Sequence, residues 1–415
     1  MQTQQLQKLG LLGSLYISQY IPITFLYETL PIFLRQQGLS LRTIGFLNLL
    51  ALPLIIKFLW APFIDRYGFT RWGHYRSWIF GFQSFLGCTT LVLAFVEVTT
   101  QFKLLLVGAL FISFLSASQD IATDALAVGL LTPQERGIGN GVQRGGNALG
   151  AVIGGGGMLL SLNVWGWQAT LVLLAGMIVL ALLPLVRHRE VVRQPLKQNE
   201  PLETQKSYRQ VLTHFFQRPN VAGWLIILII YAFGPYMAST MFRPLLVDIG
   251  LSLADIGLLL GVISYSSGFV GALIAGGLIA KLGRRRSLLI FGSLQVMAIA
   301  AYILPAVGFD SFLTLSLVAI STQAVNSMAT TALFTVMMDK SQVSTAGTDY
   351  TIQSSIVFFS GMVAAVISGM IAQAVGYLGL FGISMGIALV SILAVAAFFH
   401  KTKASQFRPS KEKQV

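Results

Sequence analysis

Five charged side chains interrupt stretches of the sequence that are otherwise apolar. They are Glu28, Lys57, Asp120, Asp124 and Arg144. A charge at the centre of a bilayer costs on the order of 2.5–3.5 kcal/mol by insertion scales, so such a residue is expected to be paired or to have a functional role. Asp120 and Asp124 are four residues apart and share one helix face, where they repel each other unless a cation or a proton intervenes. These residue types indicate proton or ion binding.

Lys57, Asp120, Asp124 and Arg144 are predicted to form a charge network. Helical rise places Lys57, Asp124 and Arg144 about 12 Å from the same ends of their helices, and Asp124 is the better placed to pair with Lys57. One interpretation is a structural network that joins the second, fourth and fifth helices. The other is that one of these carboxylates binds a proton or a ligand as part of the function. A further alternative is that Arg144 faces an anionic substrate, because guanidinium suits bidentate contacts with carboxylates.

Glu28 lies on the first predicted helix, toward the membrane face opposite to the helix ends near Lys57, Asp124 and Arg144. In the N-terminal half, Arg35 is the only cation at a similar depth. A carboxyl group in a low dielectric resists ionisation and exchanges protons near neutral pH. Glu28 and Asp120 are therefore the predicted proton-coupling residues. The alternatives for Glu28 are a simple ion pair with Arg35 and a side chain that extends to the membrane interface.

The overall composition places these charges in a membrane protein. Of the 415 residues, 55% are hydrophobic and 10% are charged, and the mean hydropathy is +0.74. A soluble domain carries about 25% charged residues, so a soluble globular enzyme is excluded. The lone Cys88 and four scattered histidines predict no metal site, no disulfide framework and no catalytic site. No nucleotide-binding motif follows the glycine runs, and no cofactor is predicted.

Apolar segments long enough to cross a bilayer, which takes about 20 residues, occur twelve times. The predicted spans are 9–34, 43–63, 77–97, 104–130, 138–161, 167–186, 220–242, 253–280, 287–307, 311–338, 348–375 and 377–400. The sequence thus predicts an all-α membrane protein of two six-helix bundles. The predicted parts are the N-terminal bundle 1–186, a cytoplasmic linker 187–219, the C-terminal bundle 220–400 and a basic tail 401–415.

The basic residues behind the net charge of +13 are distributed unevenly between the loops. With alternating spans, 22 of them fall on the face that holds both termini, and the opposite loops hold Arg35, Arg42, Lys103 and Arg243. The positive-inside rule therefore places both termini in the cytoplasm. The charge indicates topology and attraction to anionic membrane lipid, and no nucleic acid partner is predicted.

An internal repeat relates the two bundles. The segment 38–45, GLSLRTIG, recurs 212 residues later as 250–257, GLSLADIG, with six of eight positions identical. Two parallel six-helix repeats around a central cavity are the architecture of the major facilitator superfamily. The glycine runs on the fifth and eighth helices are predicted to allow close backbone contact where the two halves meet.

Two loops resemble the signature of this superfamily. Asp65-Arg66-Tyr-Gly68 followed by Arg71 is similar to the motif after the second helix, with Ala61 where its first glycine usually stands, and 283–286, Gly-Arg-Arg-Arg, is its echo in the second half. The resemblance implies a gating-loop motif. Its residues are Asp65, Arg66, Gly68, Arg71, Gly283, Arg284 and Arg285.

Segments 57–62, KFLWAP, and 116–121, SASQDI, resemble the AmpG-like group of the superfamily. That group includes muropeptide permeases, acetyl-CoA transporters and siderophore importers of the RhtX/FptX type. The sequence departs from the muropeptide permeases at Ala148, where their fifth helix usually has an arginine, and it lacks room for their extra spans. These departures favour the siderophore importers.

Uncharged polar and aromatic residues on helices that line the cavity in this superfamily predict a hydrogen-bonding substrate. The predicted substrate-cavity residues are Gln19, Tyr20, Tyr27, Asn48, Gln119, Asn147, Tyr236, Gln323, Asn326 and Gln353. The expected function is proton-coupled import of a bulky polar small molecule, such as a siderophore, by a monomer in the bacterial inner membrane. A muropeptide permease, an acetyl-CoA transporter and a non-transporting membrane sensor are the alternatives. A sensor is expected to carry an added soluble domain, and the short length of the longest polar segment, 187–219, disfavours it.

Overall fold

The computed structural model describes residues 2–38, 47–68, 72–98, 100–187 and 208–399. The predicted basic tail, residues 188–207 of the predicted linker and Arg71 lie outside the described residues, as does the side chain of Asn48. Within these ranges all the regular structure is helical.

The N-terminal half contains six helices, α1 to α6. Helix α1 consists of Gln2–Thr24, a π-helical turn Phe25–Thr29, and Leu30–Gln36. Helix α2 consists of Leu47–Ala51, Leu52–Ile56, Lys57–Leu59 and Ala61–Arg66. Helix α3 is His74–Leu93 and α4 is Phe102–Leu130. Helix α5 starts with Arg136–Val152 and Ile153–Gly157 and continues into Met158–Leu180, where Gly166 turns the chain back into α6, which ends with Leu183–Arg187.

The C-terminal half contains α7 to α12. A short linker helix, Tyr208–Phe216, precedes α7, which is Val221–Asp248. Helix α8 consists of Leu253–Ile256, a π-helical stretch Gly257–Ser264, and Tyr265–Leu282. Helix α9 consists of Arg284–Ala301 and Ile303–Ala306, and α10 is Phe312–Lys340. Helices α11 and α12 share the stretch Ala346–Phe398 and are divided by Gly376.

The predicted twelve spans are confirmed in the described residues. Eight helical stretches are long and apolar enough to cross a membrane, and two of them turn back at Gly166 and Gly376. Helices α2 and α3 complete the twelve. Helix α2 is irregular because Pro53 and Pro62 each begin a new helical segment, a position that suits a residue without a backbone N–H.

The repeat is also visible in the backbone. Gly38 and Gly250 both have φ of 88°, and Gly166 and Gly376, which are 210 residues apart, have φ of 75° and 71°. Side chains other than glycine rarely adopt this left-handed conformation. The same sharp turns therefore recur in the two halves at nearly the same offset as the sequence repeat.

Helix α5 carries glycines on two faces. A Cβ atom at Gly141 would lie 2.8 Å from the carbonyl oxygen of Ala272 on α8, and one at Gly154 would lie 2.2 Å from that of Ile21 on α1. The predicted close contact between α5 and α8 is thus present. The glycines of α8 differ from one another, because Gly271 faces α10 whereas Gly277 faces open space.

We predict that Gly141→Ala disturbs the contact between the halves. The added methyl group must displace the backbone of α8, so the melting temperature in detergent should fall and transport should slow. Gly277→Ala is the matched control, since its methyl group meets nothing within 4 Å and alanine has the better helix propensity by about 0.8–1.0 kcal/mol. Equal melting temperatures for the two variants would contradict a stabilising role of the contact between α5 and α8.

Candidate functional site

Lys57 and Asp120 form an ion pair in the N-terminal half. The Nζ atom of Lys57 contacts Oδ2 of Asp120, whose other oxygen accepts a hydrogen bond from the amide of Gln19 on α1. The side chain of Lys57 is 0% exposed and that of Asp120 is 16% exposed. We expected Lys57 to pair with Asp124, and this expectation is wrong. The 3₁₀ turn at Lys57–Leu59 alters the direction of this side chain from that of an ideal helix.

Asp124 is buried among neutral hydrogen-bond donors. The hydroxyl of Tyr16 and the amide of Gln143 each donate to Oδ1 of Asp124 over 2.9 Å, and Asp124 is 2% exposed. Gln143 in turn accepts a hydrogen bond of 3.2 Å from the hydroxyl of Tyr350 on α11. A side chain of the C-terminal half therefore supports a carboxylate of the N-terminal half.

Gln143 and Tyr350 are functional candidates that sequence reasoning missed. Gln143 lies next to Arg144 and at the depth of Asp124, which is the signal that would have identified it. Tyr350 gives no such signal, because its contact with Gln143 spans 207 positions of the chain.

Arg144 takes no part in the ion pair. Its guanidinium lies over the ring of Phe334 on α10, 5.1 Å from the ring centroid, and the side chain is half-buried. Among the residues that the structure describes, Arg144 has no carboxylate within 4 Å. Tyr20 lies close enough to Arg144, Tyr236, Glu28 and Asp120 to interact with them electrostatically. These side chains therefore gather around one region shared by both halves.

Glu28 joins the halves at a second place. The hydroxyl of Tyr265 on α8 donates a hydrogen bond of 2.7 Å to Oε1 of Glu28. Glu28 lies in the π-helical turn of α1, which begins at Phe25. A π-bulge often marks a functional position in a helix. Glu28 is thus placed against the C-terminal half, where a change in its charge acts on the contact between the halves.

Several of the predicted cavity residues fasten helices together instead. Gln353 is fully buried, accepts from the indole of Trp224 over 2.7 Å and donates to backbone and hydroxyl oxygens. Gln119 is fully buried and donates to Gln83 on α3, and Asn326 accepts from Gln295 on α9. In lipid these amides need protein partners. The structure supplies them, except that the side-chain oxygen of Gln119 has no hydrogen-bond partner among the described residues.

The other predicted cavity residues lie closer to the shared region. Tyr236 packs against Gly361 on α11, and Tyr27 lies 3.3 Å from the hydroxyl of Ser113. Asn147 is half-buried, and its side-chain oxygen has no hydrogen-bond partner in the part of the chain that the structure describes. Gln323 is half-buried beside Gly268. The side-chain oxygen of Asn147 is therefore a buried acceptor without a partner among the described residues.

The gating-loop motif lies at the face that we call the basic face, formed by the helix ends at Arg66, Leu130, Arg136, Lys340 and Ala346. Asp65 accepts hydrogen bonds from the backbone N–H groups of Gly347 and Thr348, over 2.9 and 2.7 Å. Helix α11 begins at Ala346, so a carboxylate of the N-terminal half caps a helix of the C-terminal half.

A second contact at the basic face centres on Asp339 of α10. Arg136 and Arg284 pair with the two oxygens of this carboxylate, over 2.9 and 2.6 Å, and Arg284 also donates to the carbonyl of Pro133. Arg285 donates to the carbonyl of Ala396. Arg136 belongs to the N-terminal half and Asp339 to the C-terminal half, so the halves are closed together at this face.

The remaining motif residues have local roles. Arg66 lies over the ring of Tyr67, and a Cβ atom at Gly68 would lie 2.5 Å from the ring of His74. Gly283 has φ of 78° and separates α8 from α9. The motif thus shapes two tight turns as well as contacts between the halves.

Glu135 in the loop before α5 illustrates the electrostatics outside the spans. Burial opposes its ionisation, but hydrogen bonds from the backbone and hydroxyl of Thr132, together with Lys8, hold the pKa of Glu135 below its usual value. Glu135 is therefore ionised at neutral pH and ties the start of α1 to this loop.

The family description that matches residues 12–365 is Major Facilitator Superfamily. The chain belongs to this superfamily. It is a membrane transporter and not an enzyme, and its substrates are small-molecule solutes. The predicted fold is confirmed by this match and by the twelve helices.

Curated relatives cover nearly the whole chain. The anhydromuropeptide permease of Escherichia coli K12 is 27% identical over 381 residues, which are 90% of this chain and 76% of the permease. An uncharacterized protein of Haemophilus influenzae is 29% identical over 390 residues, 90% of each chain. The predicted AmpG-like resemblance is confirmed. The comparison supports the muropeptide alternative better than the expected siderophore import.

Solved transporters share the fold. The human organic anion transporter MFSD10 (TETRAN) matches with a TM-score of 0.74 at 14% identity and covers 94% of this chain and 99% of its own. A bacterial homologue of the iron transporter ferroportin, in the outward-facing state, matches with a TM-score of 0.68 at 17% identity, with 95% and 99% coverage. At these identities the likeness concerns the fold alone.

We predict that Lys57→Gln destabilises the protein because it leaves the Asp120 carboxylate without its cation. Removing one partner of a buried ion pair costs about 3–5 kcal/mol. The double variant Lys57→Gln/Asp120→Asn should recover much of the loss, measured as melting temperature and as expression level. Lys57→Gln/Asp124→Asn is the control, because it leaves Asp120 unpaired. Equal recovery in both double variants would show that Asp120 is not the partner.

Proposed function

We propose that the protein is an inner-membrane secondary transporter that imports an anionic, polar solute of the anhydromuropeptide type together with protons. An anhydromuropeptide combines sugar hydroxyl groups with peptide carboxylates, so its binding calls for a fixed cation and for hydrogen-bonding groups. The relative in Escherichia coli carries this substrate class in its name.

The observation that carries the proposal is the environment of Arg144. This guanidinium is half-buried on α5, stacks on Phe334 of the other half, and has no carboxylate partner within 4 Å among the described residues. A buried cation without a counter-ion is unfavourable, and a substrate carboxylate relieves that cost. Contact with both halves also lets a bound anion influence how the halves move relative to each other.

Two hydrogen-bonding residues support this assignment. Tyr20 lies within electrostatic range of it, and Asn147 presents an acceptor without a partner among the described residues. The aromatic rings of Tyr20 and Tyr236 can pack on the apolar face of a sugar ring. Such a combination suits a glycan fragment with a charged peptide.

Proton coupling supplies the driving force in this proposal. Glu28 and Asp120 remain the proposed proton-coupling residues, because both are carboxylates in spanning helices and Asp120 is partly accessible. Glu28 contacts Tyr265 of the other half, so its protonation changes a contact that depends on the conformation.

We predict that purified protein in vesicles accumulates an anhydromuropeptide under an imposed pH gradient, acid on the side opposite the basic face. Arg144→Gln should raise the KM about 10- to 100-fold, as expected for loss of a charged hydrogen bond of about 1.5–3 kcal/mol. The KM of Arg144→Lys should lie between those of the parent protein and Arg144→Gln, since lysine keeps a point charge but loses the bidentate geometry. Lys103→Gln, an exposed cation, is the control.

The same vesicles distinguish the alternatives. Ferric siderophores and acetyl-CoA are tested in parallel, and accumulation of one of them but no anhydromuropeptide would replace the proposed substrate class. Absence of uptake for all three, with the pH gradient intact, would show that the substrate belongs to none of these classes.

We predict that both termini and the linker are cytoplasmic, with the basic face toward the cytoplasm, because most basic loop residues lie there. In a Cys88→Ser background, a membrane-impermeant maleimide should label Asp248→Cys in spheroplasts and should spare Lys197→Cys. Labelling of Lys197→Cys in intact spheroplasts would invert the topology. Labelling of both positions after lysis controls for reactivity.

A further inference from the structure

The charges at the centre of the N-terminal half do not balance if both carboxylates are ionised. Lys57 is one cation, and Asp120 and Asp124 are two carboxyl groups on the same helix face. Arg144, the other cation nearby, is stacked on Phe334 and pairs with neither of them. One additional positive charge is needed, and a proton is the smallest that fits a buried site.

We propose that Asp120 and Asp124 share a single transported proton, and that Lys57 pairs with whichever of the two carboxylates lacks it. This inference rests on the proton coupling proposed above and adds Asp124 as the second proton site. It assigns Lys57 the role of a positioning residue that exchanges partners during the cycle.

The hydrogen bonds assign the proton in the state described here. Asp120 is held by the Lys57 ammonium and by Gln19, so it is the ionised member. Asp124 is held by Tyr16 and Gln143, which are both neutral donors. A buried carboxylate without a cation strongly favours its neutral form, so the proton resides on Asp124.

The groups that face Asp124 come from four neighbouring helices. Helix α1 contributes Tyr16, α2 contributes Lys57 on the far side of Asp120, α5 contributes Gln143, and α11 contributes Tyr350 through its hydrogen bond to Gln143. Lys57 is the cation close enough to exchange between the two carboxylates, which are about 6 Å apart on α4.

The two sites differ in access. The side chain of Asp120 is 16% exposed and Asp124 is 2% exposed. Helix α4 ends at Leu130 on the basic face, so Asp124 is about 9 Å and Asp120 about 15 Å from that end. Tyr350 belongs to the C-terminal half, and separation of the halves at the basic face withdraws it from Gln143 and uncovers Asp124.

A direction of proton movement follows. A proton arriving through the cavity binds Asp120, which releases Lys57 to Asp124. In the state described here the proton has passed to Asp124 and Lys57 has returned to Asp120. Opening of the basic face lets the O–H bond of Asp124 break and its proton pass to water, and the three side chains change from a net charge of zero to minus one. Lys57, Asp120 and Asp124 then carry a net charge of minus one together, so they must take up a new proton before the next import step.

Infrared difference spectroscopy of the purified protein in lipid tests this without any solute. A protonated carboxyl group shows a C=O stretching band that an ionised carboxylate lacks. Spectra of each variant are compared with those of the parent protein at neutral pH. Asp310→Asn, which removes an exposed carboxylate, is the control and should leave the band unchanged.

The expected pattern has three parts. Asp124→Asn loses the band, because it removes the proton site. Asp120→Asn also loses the band, because Lys57 is then free to pair with Asp124 and ionise it. Lys57→Gln increases the band about twofold, because both carboxyl groups then bind protons. Asp124→Glu retains a band at a shifted frequency.

Retention of the band in Asp124→Asn, or its persistence in Asp120→Asn, would overturn the shared proton. The two Asp→Asn variants are isosteric and neutral, so they should fold, and gel filtration and melting temperature verify this. If Lys57→Gln does not fold, these two variants still decide the matter. Because no solute is present, failure of uptake in the vesicle experiment leaves this result intact and tests the substrate class separately.

Discussion

The buried ammonium group of Lys57 determines how the N-terminal half is organised. A cation without solvent needs a carboxylate at contact distance, and Asp120 supplies it from α4. That pair fixes the depth at which α2 lies against α4 and brings Gln19 of α1 to the same point. Once Asp120 is engaged, Asp124 must find neutral donors, and the tyrosine and amide that serve it come from α1 and α5. Four helices thus converge because of one charge.

Helix α5 packs closely against a helix of each half. Its glycines on one face meet the backbone of α8, and those on the other meet α1. Close backbone contact without interlocking side chains resists separation but opposes sliding only weakly. Polar contacts at Asp65 and Asp339 close the halves at the basic face, and Tyr350 and Tyr265 make further polar contacts between the halves away from it. The glycine contact and the polar contacts at the basic face therefore differ in kind, since the first depends on close backbone packing and the second on charges and hydrogen bonds.

Much of the fold could be predicted from the sequence because hydropathy depends on local composition, and the internal repeat can be read directly from the residues. The twelve spans and the two repeats are of this kind, and the glycine runs of α5 and α8 indicated a close backbone contact. The pairing of Lys57 could not be predicted, because the estimate of depth assumed an ideal helix and Pro53 and Pro62 interrupt α2. The role of Gln353 was equally hidden, since its partner Trp224 is 129 positions away. Composition shows that a buried amide needs a partner, but only the tertiary structure shows whether that partner is protein or substrate.

The turns at Gly166 and Gly376 have a consequence for biogenesis. Each joins two spanning helices through a single residue outside the helical conformation. A pair of helices joined in this way carries almost no polar loop across the membrane, so it can enter the lipid as one hairpin during synthesis. In the last helix pair of each half, therefore, almost no water-bound loop backbone has to cross the lipid. The bundles can be completed in order as the ribosome releases them.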